Sequence, residues 1–98
     1  MKLKDKVAIV TGSSRGIGRA TAILFAKEGA KVVVTYKNNK KKGEEVLEAI
    51  GKDNGILLNL DTTNEESVKN LVKEVMTKYG RIDILVNNAG EIILIPLD

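Results

Sequence analysis

Eight residues, Thr11-Gly12-Ser13-Ser14-Arg15-Gly16-Ile17-Gly18, hold three glycines in the spacing Gly-x-x-x-Gly-x-Gly. Before them runs Val7-Ala8-Ile9-Val10, the pattern of a strand buried on both faces of a parallel sheet. After them begin residues at helical spacing, so the glycines stand where a strand hands over to a helix. A glycine at the strand end permits a tight turn, a second lets backbone approach a phosphate, and a third lets helix and strand pack closely. The free amides of the helix's first turn, with the positive end of its dipole, then favour an anion. The chemistry implied is the binding of a phosphate or of a dinucleotide's pyrophosphate. No Gly-Lys-Ser or Gly-Lys-Thr follows, so this is not a Walker loop, and the spacing also differs from Gly-x-Gly-x-x-Gly. A turn of this kind can serve chain reversal alone; its place between strand and helix favours the anion.

About 20 residues beyond such glycines, many dinucleotide-binding chains carry an acidic residue for the ribose hydroxyls. Here Tyr36 and Lys37 stand there instead. No carboxylate repels a 2′-phosphate, and Arg15 offers a planar cation close by, so NADP is expected over NAD, with NAD as the alternative. Lys37 and Arg15 are also readable as ordinary solvated charges. Lys40, Lys41 and Lys42 read as an exposed basic loop that at most helps to attract anions. The sequence has no cysteine and no histidine. That leaves no disulfide framework, no thiol nucleophile, no usual zinc ligands and no imidazole-based catalysis, and no metal site is expected.

The elements that must position these residues follow from periodicity. The chain has 98 residues, 43% hydrophobic and 30% charged, which suits one small globular domain. Its net charge of +3 and 3% aromatic content point to no nucleic acid. No stretch approaches the roughly 20 apolar residues of a membrane span, so a cytoplasmic location and no membrane partner are expected. After the first strand, Ile17, Ala20, Thr21, Leu24 and Ala26 predict the inner face of a helix that stops at Gly29. Val32-Val33-Val34 predicts a second strand. Val46, Leu47 and Ile50 predict a second helix over 44–50, and Ile56 to Leu60 a third strand ending at Asp61. Val68, Leu71, Val72, Val75, Met76 and Tyr79 form one stripe of a third helix, with Thr63 and Glu66 as a capping box and Gly80 as its stop. Ile82 to Val86 predicts a fourth strand running into Asn87-Asn88-Ala89-Gly90. The order βαβαβαβ calls for an α/β fold, a parallel sheet with helices on both faces.

Three blocks, Thr11 to Gly18, Asp61-Thr62 and Asn87-Asn88-Ala89-Gly90, together resemble the TGxxxGxG, adenine-contacting and NNAG blocks of the short-chain dehydrogenase/reductase family. Within it the chain is most similar to 3-oxoacyl-(acyl carrier protein) reductases and related sugar and steroid dehydrogenases. The resemblance covers the whole 98 residues and implies a partial Rossmann fold with strand order 3-2-1-4. It implies that Gly12, Ser13, Ser14, Arg15, Gly16, Ile17 and Gly18 surround the cofactor's phosphates and adenosine ribose. By the same resemblance Asp61 accepts from the adenine amino group and the Thr62 backbone meets the ring edge. Asn88, Ala89 and Gly90 pass beside a cofactor ribose, and Asn87 chiefly ties strands together. Asp61 is equally readable as a helper in capping the third helix with Thr63, and the Asn-Asn pair as a strand-ending turn.

The family's reaction implies carbonyl reduction by hydride from the nicotinamide, with a tyrosine as general acid, a lysine four positions later, a serine and an asparagine. None of these is matched here. Lys40 does stand four after Tyr36, but in the cofactor loop, and that spacing reads as coincidence. Residues 1–98 therefore read as the dinucleotide-binding part of such a domain, ending before the catalytic half and inactive alone. On that reading the fourth strand becomes an exposed edge, and with the apolar Ile92-Ile93-Leu94-Ile95 it predicts a homo-oligomer. The alternative is a non-catalytic nucleotide-binding or self-associating module.

Overall fold

The computed structural model describes residues 2–14 and 16–87, together with the backbone course of residues 91–94. In chain order these form β1 (Val7–Val10), α1 (Gly16–Lys27), β2 (Lys31–Tyr36), α2 (Lys40–Ile50), β3 (Gly55–Asn59), α3 (Glu65–Tyr79), β4 (Ile84–Asn87) and β5 (Glu91–Leu94). A single 3-10 turn, Lys52–Asn54, joins α2 to β3. All four residues of β1 are buried, and they alternate between two cores as strand geometry requires. Ala8 and Val10 pack with Ala22 of α1 and with Val46 and Ile50 of α2. Val7 and Ile9 pack on the opposite face with Leu71 and Val75 of α3. The continuous apolar run is thus the signature of a strand covered on both sides.

The sheet order is β3-β2-β1-β4-β5. Strands β1 to β4 are parallel, in the order 3-2-1-4 with helices on both faces, as the alternation of elements implies. The fourth strand is not an edge, contrary to expectation. β5 pairs antiparallel with it, Leu85 opposite Ile93 and Asn87 opposite Glu91, and Ile82, Ile84 and Val86 are buried. An antiparallel neighbour needs only a short connection, so the next extended segment in sequence takes the open ladder of β4. The outer strands of the described sheet are β3 and β5.

Each helix differs from its sequence reading. On α1 the buried residues are Gly18 and Ala22, with Ile23, Phe25 and Ala26 packed beside them, while Ile17 and Leu24 are 79% and 56% exposed. Near its start the inner face carries small residues, because α1 begins too close to the loop for larger ones. The lysines 40–42 are exposed but are not a loop: they form the first turn of α2, where Asn39 Oδ1 accepts from the Lys42 amide at 3.1 Å. The cap, with the burial of Val46 and Ile50 further along, holds the helix despite three cations at the unfavourable end of its dipole. On α3 the cap is Asn64, whose Oδ1 accepts from the Ser67 amide at 3.1 Å, and not Thr63. Gly80 closes α3 in the left-handed region, φ 74°. Only half of the α3 stripe packs: Leu71 and Val75 are buried, whereas Val68, Val72 and Met76 are exposed. Among the described residues no helix is long and apolar enough to cross a membrane.

At the amino end of the sheet, Asp83 joins β1 to the approach of β4. Its Oδ2 accepts from the Val7 amide at 2.9 Å, and its own amide donates to the Val7 carbonyl at 2.9 Å. Arg81 grips the same carboxylate through both oxygens, at 2.8 and 2.7 Å. The Arg81 hydrogen bonds first, then the Val7 amide and the nearby cationic charge, hold the Asp83 carboxyl below its ordinary range despite burial. We expect Asp83→Ala, which strands the Val7 amide, to cost about 1–3 kcal/mol at neutral pH. A carboxylate whose folded pKa lies below its unfolded one contributes fully above the unfolded value, and loses that contribution as pH falls through the folded one. The gap between parent and variant should therefore narrow below about pH 4. Urea midpoints at neutral and acid pH measure it, and a gap that stays constant would contradict this role.

Candidate dinucleotide-binding site

The residues singled out in the sequence meet at the carboxyl ends of the parallel strands. β1 stops at Val10, and the Thr11 amide and hydroxyl both donate to the Val86 carbonyl of β4, at 2.9 and 3.3 Å. Gly12, at φ 61°, then turns the chain out of the sheet. Ser13 is fully buried and Ser14 half-buried, while Arg15 lies outside the described residues. Around the position a Gly16 Cβ would take there is nothing within 4 Å. Gly18 is the opposite case: a Cβ there would lie 2.3 Å from the Gly12 carbonyl oxygen and 3.0 Å from the Ser13 Cα. The first turn of α1 is thus seated directly on the loop. It carries no acidic residue, and Ile17 stands out into solvent. Free amides at the positive end of a 12-residue helix, facing open space, make a cradle that fits a pyrophosphate.

The end of β2 forms the next wall. Tyr36 is half-buried and Lys37 exposed. Two carbonyls here are pinned from β3 by Asn59, whose Nδ2 donates to the Tyr36 and Lys37 oxygens at 3.2 and 3.0 Å. The Leu60 amide adds a bond to the Tyr36 carbonyl at 2.8 Å.

Asp61 follows β3. Its Oδ1 accepts from the Thr63 hydroxyl at 2.6 Å and from the Thr63 amide at 3.0 Å, with Lys37 Nζ at 4.0 Å. The Thr63 hydroxyl first, then its amide, with Lys37 adding a smaller pull, hold the Asp61 carboxyl below its ordinary range. It is therefore a charged acceptor at neutral pH. The Asp61 amide donates to Ser67 Oγ at 2.9 Å, which ties this turn to the start of α3. Thr62 beside it is exposed. Asn87 ends β4 opposite Glu91 of β5, and Asn88, Ala89 and Gly90 lie outside the described residues.

Gly12 to Gly18, Tyr36-Lys37 and Asp61-Thr62 thus share one edge of the sheet, outside the carboxyl ends of β1, β2 and β3, where open α/β sheets bind ligands. A hollow of about 1100 Å³ lies elsewhere, along the outer edge of β3 and bounded by α2 and α3, so cavity size is no guide here. Sequence reading missed the residues that hold this edge in shape: Thr35, Asn59, Asn64 and Ser67. Thr35 had a signal, a polar residue inside the apolar run of β2, and Asn59 stands likewise at the end of β3.

The seat of α1 on the loop is open to direct test. Gly18→Ala is expected to destabilise the fold by about 1–3 kcal/mol, since the new methyl meets backbone and not a movable side chain. Denaturant titration reads this, and a variant as stable as the parent would rule out the close contact.

A match to the family described as short chain dehydrogenase covers residues 6–97. The chain is 44% identical over 89 residues to secoisolariciresinol dehydrogenase of Forsythia intermedia, covering 91% of this chain and 32% of that one. It is 45% identical over 92 residues to the uncharacterized oxidoreductase YhdF of Bacillus subtilis, covering 92% and 32%. Among solved structures, glucose dehydrogenase of Caenorhabditis elegans superposes with a TM-score of 0.83 at 41% identity, covering 90% of this chain and 39% of that one. Hydroxysteroid dehydrogenase from Escherichia coli does so with 0.82 at 36% identity, covering 88% and 36%. The chain spans about a third of the length of the curated relatives it matches. Since the family match runs through nearly all of the chain and the likeness extends to its fold, the chain belongs to the short chain dehydrogenase family.

Proposed function

We propose that this chain is the NADP(H)-binding part of a short-chain dehydrogenase/reductase that interconverts a carbonyl and an alcohol. The observation that carries the reading is the cradle of Gly12, Gly16 and Gly18, open toward Gly16 and set beside the ends of β2 and β3. Membership of the family implies a nicotinamide dinucleotide, which when bound supplies the hydride. The chain's own residues bind and orient it. Amides of the loop and of the first turn of α1 take the pyrophosphate. Asp61, kept ionised by Thr63, accepts from the adenine amino group, and the Thr62 backbone meets the ring edge. Arg15, Asn88, Ala89 and Gly90 keep the roles that the resemblance implies.

Preference for the 2′-phosphate rests on charge. Tyr36-Lys37 carries no carboxylate, and the exposed lysines 40, 41 and 42 begin α2 directly after this turn. A 2′-phosphate would draw Lys37 away from Asp61, exchanging a long ion pair for a charge-assisted hydrogen bond. The four residues of the family's proton chemistry find no match here, and the Tyr36–Lys40 spacing runs from the end of β2 to the start of α2, at the adenosine side. The chain by itself is therefore inferred to bind without catalysing. By resemblance the reaction is similar to that of the 3-oxoacyl-(acyl carrier protein) reductases.

A second reading, a self-associating module, is favoured by apolar side chains left open on both layers: Ile17 and Leu24 on α1, and Val68, Val72 and Met76 on α3. Light scattering across a concentration series separates the two readings, a monomer that binds dinucleotide supporting the first alone. Calorimetry should show NADP binding more tightly than NAD. Lys37→Ala should lower NADP affinity about tenfold and leave NAD within about twofold. Equal affinity for the two dinucleotides in the parent would overturn the preference, and no binding of either would overturn the function.

A further inference from the structure

Thr35 is only 1% exposed and is the one threonine of β2. Its neighbour on the β1 side is missing: Val10, the last residue of β1, pairs with Val34, and beyond it the chain has turned away at Gly12. The Thr35 amide and carbonyl would otherwise face no strand. Ser13, 0% exposed, stands in for one. The Thr35 amide donates to Ser13 Oγ at 2.7 Å, and Ser13 Oγ lies 3.5 Å from the Thr35 carbonyl as its donor. Thr35 Oγ1 in turn donates to the Val10 carbonyl at 2.8 Å. Two hydroxyls thus extend the β1–β2 ladder past the end of its backbone. Each is satisfied, as are all buried side-chain polar atoms among the described residues. An Ala and a Val would give those side chains no polar atoms to desolvate, but they would also uncouple loop from strand.

The interlock joins two particular places. Ser13 is one residue past the turn that begins the phosphate cradle, and Thr35 is one residue before Tyr36-Lys37, at the ribose end. We propose that Ser13 and Thr35 are positioning residues that hold these two half-sites at one spacing, so that a ligand spanning both, an adenosine diphosphate with or without a 2′-phosphate, meets a preorganised site. This rests on the dinucleotide reading above. Buried as they are, the two side chains act through the backbone that they fix. Preorganisation of this kind lowers the ordering cost of binding for a bridging ligand, and does little for one that touches a single end.

The test compares ligands of different span on the folded chain. ADP and adenosine 2′,5′-bisphosphate reach both ends, and inorganic pyrophosphate reaches only the loop. Thr35→Val and Ser13→Ala are each expected to weaken the two spanning ligands about three- to tenfold and to change pyrophosphate by less than about twofold. Thr35→Ser, which keeps the hydroxyl, should restore parent affinity. The double variant should lose less than the sum of the two single losses, because the residues act as one unit. Equal losses for pyrophosphate and the spanning ligands, or no loss at all, would overturn the proposal while leaving the dinucleotide reading standing. If the parent binds none of the three ligands, the dinucleotide reading itself falls, and this proposal with it. Should the variants not fold, amide shifts in the parent decide the matter. The Thr35 amide should move on ADP binding and stay still with pyrophosphate, and equal movement with both overturns the proposal.

Discussion

The carboxyl edge of this sheet depends on one contact: the first turn of α1 lies against the backbone of Gly12 and Ser13, closely enough that a single methyl group on Gly18 would collide with a carbonyl oxygen. Because the helix starts there, its amides face the space beyond β1. Because it starts so close, the face it turns to the sheet must be small near its beginning, which is why Gly18 and Ala22 are buried and Ile17 is not. The same contact relates β1 to α1, and the Ser13–Thr35 hydroxyl pair carries that relation across to β2. An anion cradle thus becomes one end of a longer site.

The two ends of β1 are held in different ways. At its start Val7 is clamped to Asp83 by two hydrogen bonds, one from its amide to the carboxylate that Arg81 also holds and one from the Asp83 amide to its carbonyl, so a buried carboxylate helps to set the register with β4. At its finish the neutral hydroxyls of Thr11, Ser13 and Thr35 complete the ladder instead. A carboxylate at that edge would oppose a phosphate by simple charge repulsion. Asp61, after β3, is drawn aside by Thr63 and balanced by Lys37.

Much of the fold was legible in the residues because burial on both faces leaves an apolar run, and helices leave a stripe. The glycine loop was legible because few spacings let a strand and a helix meet around a phosphate. The helix caps were not read correctly: the capping-box spacing pointed to Thr63, whereas Asn64 next to it is the residue whose side chain meets a free amide. The lysines 40–42 gave a polar, basic impression that hid a helix start, since an exposed first turn has no apolar residue to report it. The inner face of α1 was misread for a similar reason: large apolar residues draw attention, whereas the face that packs closest is built from the smallest side chains.

What the sequence by itself determined is the alternation of elements, the parallel sheet that follows from it, and the place of the glycine loop between strand and helix, all of which come from local spacing. What only the tertiary structure decided is which polar side chains meet across that spacing. That β5 would take the open ladder of β4, that Asn59 would pin the turn after β2, and that Ser13 would replace a strand beside Thr35 all involve partners separated along the chain. No periodicity records such meetings, because they arise only when separate strands end at the same edge and leave backbone groups that some side chain must satisfy.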